Sequence, residues 1–256
     1  MHQILKFLYS LNFPFFKRLI PSLVKRIFFI KKKKIINLSF AKIKIDLTQS
    51  IDREIYLNGF YEKEQISFLE SIIKKKEINH FFDIGANIGY YSLYFKNIKN
   101  IYAFEPNKIN YLRLQENNNL NNCNIKMYNL GLSNTNSESE IWYTDRFKMG
   151  GSSIFEKDDP ELMKYNQNSI FKEKILIKKL DDIINIKETN ILVKIDVERH
   201  EKKVLEGMNK IIKQNDIILQ IEIGADQKNE VFRYLNELNF KWINSIRHDH
   251  FFIKIN

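Results

Sequence analysis

Four acidic side chains close apolar runs: Asp83 in FFDIG, Glu105 in YAFEP, Asp196 in LVKIDVE and Glu222 in LQIEIG. Short apolar runs of this kind read as buried strands. An acid at the end of such a strand is costly unless it has a partner or a task. Asp83 is followed by the turn Gly85-Ala86-Asn87-Ile88-Gly89, and Asp196 by Glu198, His200 and Glu201. Carboxylates and an imidazole gathered at strand ends can orient hydroxyl groups, move a proton or hold a cation.

The glycine turn sits where a strand would hand over to a helix. A dinucleotide fingerprint needs glycine at the third and sixth positions, and here these are Asn87 and Tyr90. A phosphate loop needs Gly-Lys-Ser/Thr, which is absent. The turn therefore suits a zwitterion better than a phosphate. Asp83 can take up an ammonium, and backbone N–H groups from Gly85 to Gly89, with Asn87 between, can meet a carboxylate. Glu105 ends the next strand and can accept both hydroxyls of a ribose, held extended by Pro106. Leu132, in the third apolar run, is a further candidate for contact with the same ligand. An amino acid joined to a nucleoside without phosphates describes S-adenosylmethionine.

DIGANIGYYSLYF, FEPN, the later LDD and KIDVERHEKKVLEGM together resemble the FkbM family of S-adenosylmethionine-dependent methyltransferases, over roughly residues 52–224. The resemblance implies a Rossmann-like seven-stranded methyltransferase sheet and O-methylation of a sugar or nucleotide-activated sugar, in bacterial surface polysaccharide assembly. The family pattern Asp-Val-Glu-Gly-His-Glu has Arg199 in its glycine position here, which points to contact with an anionic substrate. Methyl transfer to a hydroxyl needs in-line alignment and a route for the proton. Asp196, Glu198, His200 and Glu201 are the catalytic candidates. The alternative for Glu198 and Glu201 is capping the first turn of the following helix. Asp196 and Glu222, on neighbouring strands, either hold Mg²⁺ or Mn²⁺ or orient the acceptor's hydroxyls directly. His200, with an ordinary pKa near ~6.5, is the nearest base; His248 and His250 stand further off in a terminal turn.

The elements that must position these residues alternate. HFFDIG, IYAFEP, NIKMYNLGLS, SESEIWYT, KILIKKLDD, ILVKIDVE and IILQIEIG read as strands. FYEKEQISFLESIIKKK, NIGYYSLYFKN, KINYLRLQENNNLNN, RHEKKVLEGMNKIIKQ and DQKNEVFRYLNEL read as helices. This predicts an α/β fold with a mostly parallel sheet covered on both faces, closed by an antiparallel C-terminal hairpin as its edge. Ligands then bind beyond the carboxyl ends of the strands. Residues 145–174 are weakly periodic and read as an insertion or lid, with Gly150–Ser153 as flexible backbone and Arg146, Lys148 and Lys157 available to a diphosphate.

Charge divides the chain into a segment 1–45 and a catalytic domain 46–256. Residues 1–45 hold eleven Lys and Arg and no acid; the remainder holds thirty against all 31 Asp and Glu. The neutral body argues against nucleic acid as substrate, as does the absence of the Pro-Pro-aromatic tetrapeptide used for amino methylation. An RNA methyltransferase is the alternative enzyme, and a non-catalytic membrane-associated scaffold the alternative class. The first 34 residues are cationic and apolar, but their longest uncharged run, Phe7–Phe16, is half of the ~20 residues a bilayer span needs. Lys17 and Arg18 follow it where a signal peptide would have small residues. The periodicity predicts an amphipathic helix that packs on the body or a second subunit, or rests on the inner face of a membrane. The single Cys123 excludes a disulfide framework and suits the cytoplasm.

Overall fold

The computed structural model describes residues 2–11, 13–27, 33–74, 76–144 and 170–254. Seven apolar runs pair into one sheet. In chain order these are β3 (His80–Ile84), β4 (Asn100–Phe104), β5 (Ile125–Tyr128), β9 (Asn190–Ile195), β10 (Asp216–Glu222), β11 (Phe240–Ile246) and β12 (Asp249–Lys254). In space they run β5-β4-β3-β9-β10-β12-β11. All pairs from β5 to β10 are parallel; β12 is antiparallel to both β10 and β11. The C-terminal hairpin exists as expected, but its second strand inserts inside the sheet and β11 forms the edge.

The chain runs outward from β3 to β5 and later outward from β9 to β10 on the other side. The order thus reverses between β3 and β9, where Ile84 lies opposite Ile195. A crevice opens at such a switch point. It brings the glycine turn after β3 against Asp196 after β9.

Successive side chains of each strand feed opposite faces. Phe81 and Leu192 join one core, with Ile66 and Leu69 of helix α4 (Lys63–Ile73) and Leu114 of helix α6 (Lys108–Leu120). Phe82 and Val193 join the other, with Val204 and Leu205 of α8 (Glu201–Glu206), Ile211 and Ile212 of α9 (Asn209–Gln214) and Val231 and Leu235 of α10 (Lys228–Glu237). The single helix expected after Asp196 is two, parted at Gly207 and Met208. A Cβ at Gly207 would lie 1.9 Å from the Ser133 carbonyl oxygen, so only glycine lets these backbones meet. The helix expected after the glycine turn is the five-residue α5 (Tyr90–Tyr94). The run NIKMYNLGLS splits into β5 and β6 (Gly131–Leu132), and β6 joins β7 (Ser137–Thr144) and β8 (Ile170–Lys178) in a second sheet, order β6-β8-β7. Of the expected lid at 145–174, residues 170–174 belong to β8; the rest, with Arg146, Lys148, Gly150–Ser153 and Lys157, lies outside the described residues.

The N-terminal segment is not wholly helical. Helices α1 (His2–Ser10) and α2 (Pro14–Ile27) precede a hairpin of β1 (Lys33–Asn37) and β2 (Lys42–Asp46). The hairpin is clamped to α6: the Lys42 and Lys44 amides donate to the Asn121 and Asn117 side chains at 2.8 and 2.7 Å. Tyr9, Ile20, Val24, Ile43 and Ile45 are buried in the same core as Phe81. The charge boundary at residue 45 therefore falls inside β2 and inside a shared core. Both N-terminal helices pack on α3 (Ser50–Asn58), and α3 is tied to α6 by the buried Asp52–Arg113 pair. Among the described residues no helix is long and apolar enough to cross a membrane.

Candidate active site

The turn after β3 has a backbone only particular residues accept. Gly85 and Gly89 lie at φ +83° and +82°, with Asn87 at +51° between them. Asparagine tolerates the left-handed region better than most side chains. A Cβ on Gly85 would stand 1.9 Å from the Asp196 carbonyl oxygen, so the switch point closes only around glycine. The Gly85 and Ala86 amides donate to the Phe104 carbonyl at 2.9 and 3.0 Å, tying the turn to the end of β4.

Glu105 follows β4 and is buried. Its Oε2 accepts the Asn87 amide at 2.8 Å and its Oε1 the Asn107 amide at 2.9 Å. Asn107 in turn caps α6, accepting from the Ile109 and Asn110 amides at 3.0 Å each. The carboxylate is thus fixed before any ligand arrives. Burial pushes its pKa up to about 7 against the pull of these two amides.

A cavity of about 290 Å³ joins these groups to the later acids. Gly85, Asn87, Glu105, Pro106, Leu132, Asp196, Glu198, His200 and Glu222 all line it. So do Tyr61, Asn110 and Ile141, and Ser50 and Ile51 from the start of α3. Asp83, Gly89 and Glu201 are not on its wall. Asp83 is buried behind the turn, where its Oδ2 accepts the Ser92 amide at 3.0 Å and the Ser92 hydroxyl at 2.6 Å. A strand-end acid facing the ligand was expected; this one holds the start of α5. Gly89 packs against Leu114 of α6.

Asp196 and Glu222 do come together, as neighbouring strands require, and they share a hydrogen bond. Lys194, two residues before Asp196, reaches Asp196 Oδ2 with Nζ at 2.6 Å. The Lys194 side chain is 4% exposed and its ammonium also lies 4.6 Å from the centre of the Tyr91 ring. Burial opposes ionisation of Asp196, yet the lysine charge and hydrogen bond carry its pKa below the usual carboxylate value. Burial, and then the charge of Asp196, push Glu222 up to about 9. The pair therefore holds one proton and one negative charge near neutrality.

Of the two uses open to this pair, holding Mg²⁺ or Mn²⁺ is the one these contacts do not support. The Asp196 carboxylate is already paired with the Lys194 ammonium at 2.6 Å, so a cation at this pair would have to compete with the lysine. Among the described residues no three His, Cys, Asp or Glu converge on a point. The alternative use of the two acids, orienting hydroxyls, fits this charge state.

His200 lies at the start of α8 with Nε2 2.9 Å from the Ser133 hydroxyl. Burial, helped by Lys203, lowers its pKa to about 4, so it is neutral and free to accept a proton at pH 7. Glu201 Oε1 accepts the Arg199 amide at 3.1 Å, ahead of α8 and not in its first turn, while Oε2 has no hydrogen-bond partner among the described residues. Burial pushes the Glu201 pKa up to about 8. Arg199 sits at φ +60°, a backbone that favours glycine, and its guanidinium lies 3.3 Å from Asp226, away from the cavity wall. His250 is buried against Ser245 and Phe232, and neither it nor His248 reaches the cavity.

Sequence reasoning missed Lys194, Tyr61 and Ser133. Lys194 sits within the apolar run ILVKI, and a lysine that must point into a core is the signal the sequence offers. Nothing in the sequence links Ser133 to His200, or Tyr61 to the cavity, because both meetings depend on the packing of separate elements.

A seven-stranded sheet with one inserted antiparallel strand, a glycine turn at the switch point and acids at the ends of β4, β9 and β10 define the Rossmann-like methyltransferase class. Residues 83–242 match the methyltransferase FkbM domain, and the chain belongs to that family. It is 26% identical over 198 residues to the hexuronic acid methyltransferase AglP of Haloferax volcanii, covering 77% of this chain and 76% of that one. Among solved structures, a methyltransferase FkbM from Methylobacillus flagellatus superposes with a TM-score of 0.48 at 15% identity, over 78% of this chain and 52% of the other, so the chain spans about half of its length. A tRNA (uracil-54, C5)-methyltransferase of Pyrococcus abyssi in complex with S-adenosyl-L-homocysteine gives 0.47 at 10% identity, over 87% of this chain and 43% of the other.

Proposed function

We propose that the chain is an S-adenosylmethionine-dependent O-methyltransferase acting on a sugar or nucleotide-activated sugar, in the cytoplasm, during bacterial surface polysaccharide assembly. The observation that carries this reading is one cavity holding a preset Glu105 at one end and the Lys194-compensated Asp196–Glu222 pair at the other. The similarity to a hexuronic acid methyltransferase supports a sugar as the acceptor.

The bound cofactor supplies a methyl group made electrophilic by its sulfonium. Glu105, ionised, accepts the two ribose hydroxyls; the Gly85, Ala86, Asn87 and Gly89 amides are already bonded to Phe104, Glu105 and Ala86, so the turn shapes the cofactor site without offering those amides to the amino-acid end. The cavity is close to the lower limit of ordinary ligand sites, and transfer requires the acceptor oxygen to be aligned with the cofactor methyl. Such alignment can supply several kcal/mol of the barrier. Asp196 accepts a hydrogen bond from the acceptor hydroxyl, while Glu222, whose one proton is engaged with Asp196, can accept from a neighbouring hydroxyl. The hydroxyl proton becomes strongly acidic only as the new C–O bond forms, so weak bases suffice. Asp196 and neutral His200, both on the wall, are the groups placed to take it, and Glu198 lies beside them.

The test is to incubate the purified chain with isotope-labelled cofactor and a panel of free and nucleotide-activated sugars, uronic acids included, and to follow label by mass spectrometry. Label on a sugar oxygen is expected. Label on RNA and on no sugar would replace this reading with the RNA one.

A further inference from the structure

We infer that a second apolar stripe on α1 and α2 docks the protein on an anionic membrane surface. Each N-terminal helix carries more apolar side chains than the core uses. Tyr9, Ile20 and Val24 are buried, with Leu8 and Phe16 packed beside them. Ile4 and Phe7 on α1 and Leu11 just after it, at i, i+3 and i+7, form a separate row that faces solvent, as do Phe15 and Leu19 on α2 with Phe13 just before it. Phe7 is 62% and Phe15 68% exposed. Of eleven large hydrophobics exposed among the described residues, six fall between residues 4 and 19. Single exposed apolar residues need no explanation, but a concentrated group marks a binding surface. Phe13 and Phe15 both contact Phe16, at 6.3 and 5.6 Å between ring centres, so the aromatic side chains at the start of α2 form one cluster.

Charge selects the occupant. Residues 1–27 contain Lys6, Lys17, Arg18, Lys25 and Arg26, and no acid occurs before Asp46. A second copy of the chain meeting this face about a twofold axis would set cation against cation, and the nearby carboxylate of Glu54 on α3 is already under the charges of Arg247 and Lys17. Nucleic acid would satisfy the cations and leave the aromatic rows in water. A lipid surface with anionic headgroups satisfies both: acyl boundary for Phe7 and Phe15, phosphate for the basic residues. The helices are 9 and 14 residues long, so they lie in the interface plane and do not cross it. They rest on α3, whose Ser50 and Ile51 line the cavity, so one helix joins the docking surface to the candidate active site.

The full chain is co-sedimented with phosphatidylcholine vesicles with and without phosphatidylglycerol. Binding is expected to the anionic vesicles, at least about ten-fold weaker to the neutral ones, and weakened by salt. Phe7→Glu with Phe15→Glu should lose about ten-fold or more while melting temperature and S-adenosylhomocysteine binding stay unchanged. Phe15→Trp alone should shift its emission to the blue on anionic vesicles. Absence of wild-type binding, binding indifferent to the double substitution, or a native mass that halves in the double variant would each overturn the inference, the last by showing that a second copy covers the stripe.

Discussion

Lys194 Nζ stands 2.6 Å from Asp196 Oδ2, two residues along the chain, inside a site where four other carboxylates act on one or the other. A buried ion pair is a weak source of net stability, but removing one partner is costly, about 3–5 kcal/mol. The ammonium therefore sets the ionisation of the site more than it holds the fold.

Lys194→Met should lower both stability and turnover. The sign of the pH effect is fixed by the causes: the lysine charge and hydrogen bond, helped by the bond to Glu222, hold the Asp196 pKa down against burial. Without it the pKa rises, and the acidic limb of the kcat profile should move to higher pH. Lys194→Arg should restore much of the profile. A substitution that lowered kcat equally at every pH would show the lysine to be structural only.

Glu105 gives a binding prediction. Its pKa near 7 in the free protein means that it is half protonated at neutrality. Accepting two ribose hydroxyls requires the ionised form, so S-adenosylhomocysteine should bind more weakly as pH falls through 7. At one unit below, the penalty is about ten-fold. Titration calorimetry from pH 6 to 8.5 should show this slope, and Glu105→Gln should abolish it. Glu105→Ala should weaken binding by about ten-fold or more at pH 8.

Stability should fall as pH rises from 6.5 to 8.5. Glu105, Glu201 and Glu222 have folded-state pKa values of about 7, 8 and 9, all above the ordinary glutamate value. Over this range the unfolded chain has lost these protons and the folded chain retains part of them, so rising pH favours unfolding. His200 and His250, lowered to about 4, act in the opposite sense only below their ordinary value of 6.5. The Asp196 contribution is lost only at acid pH, below its ordinary value. Melting temperatures of the free chain should therefore decline across the window, and Glu222→Gln, which keeps the donor without the proton equilibrium, should flatten the decline.

The parallel core was legible because its strands are apolar on both faces: FFDI, YAF and LVKI cannot be amphipathic helices of useful length. The cluster Glu105, Asp196, Glu222 was legible because strand ends in such a sheet converge at one edge. Asp83 shows the limit of that logic. It too ends a strand, but the turn after it curls back and presents Ser92, so the carboxylate is used internally. The β1–β2 hairpin was hidden by its lysines, which alternate with Ile43 and Ile45 and read as a charge run. The break at Gly207 was invisible because helical periodicity continues through it, while its cause is the Ser133 backbone from a distant loop.

Arg199 offers a last test. Its backbone at φ +60° costs an L-residue roughly 1–2 kcal/mol. Arg199→Gly relieves that strain, adds about 0.5–1 kcal/mol of lost chain entropy, and forfeits the part-exposed contact with Asp226, worth about 0–1 kcal/mol. The terms nearly cancel, so stability should change by less than about 1 kcal/mol. The informative reading is kinetic. The guanidinium is turned to Asp226 and lies off the cavity wall, so KM for an anionic acceptor should stay within about two-fold of wild type, a change worth under 0.5 kcal/mol. A large rise in KM confined to anionic acceptors, with kcat retained, would mean that the arginine leaves Asp226 to meet the substrate, and that its departure from the family glycine is a specificity device.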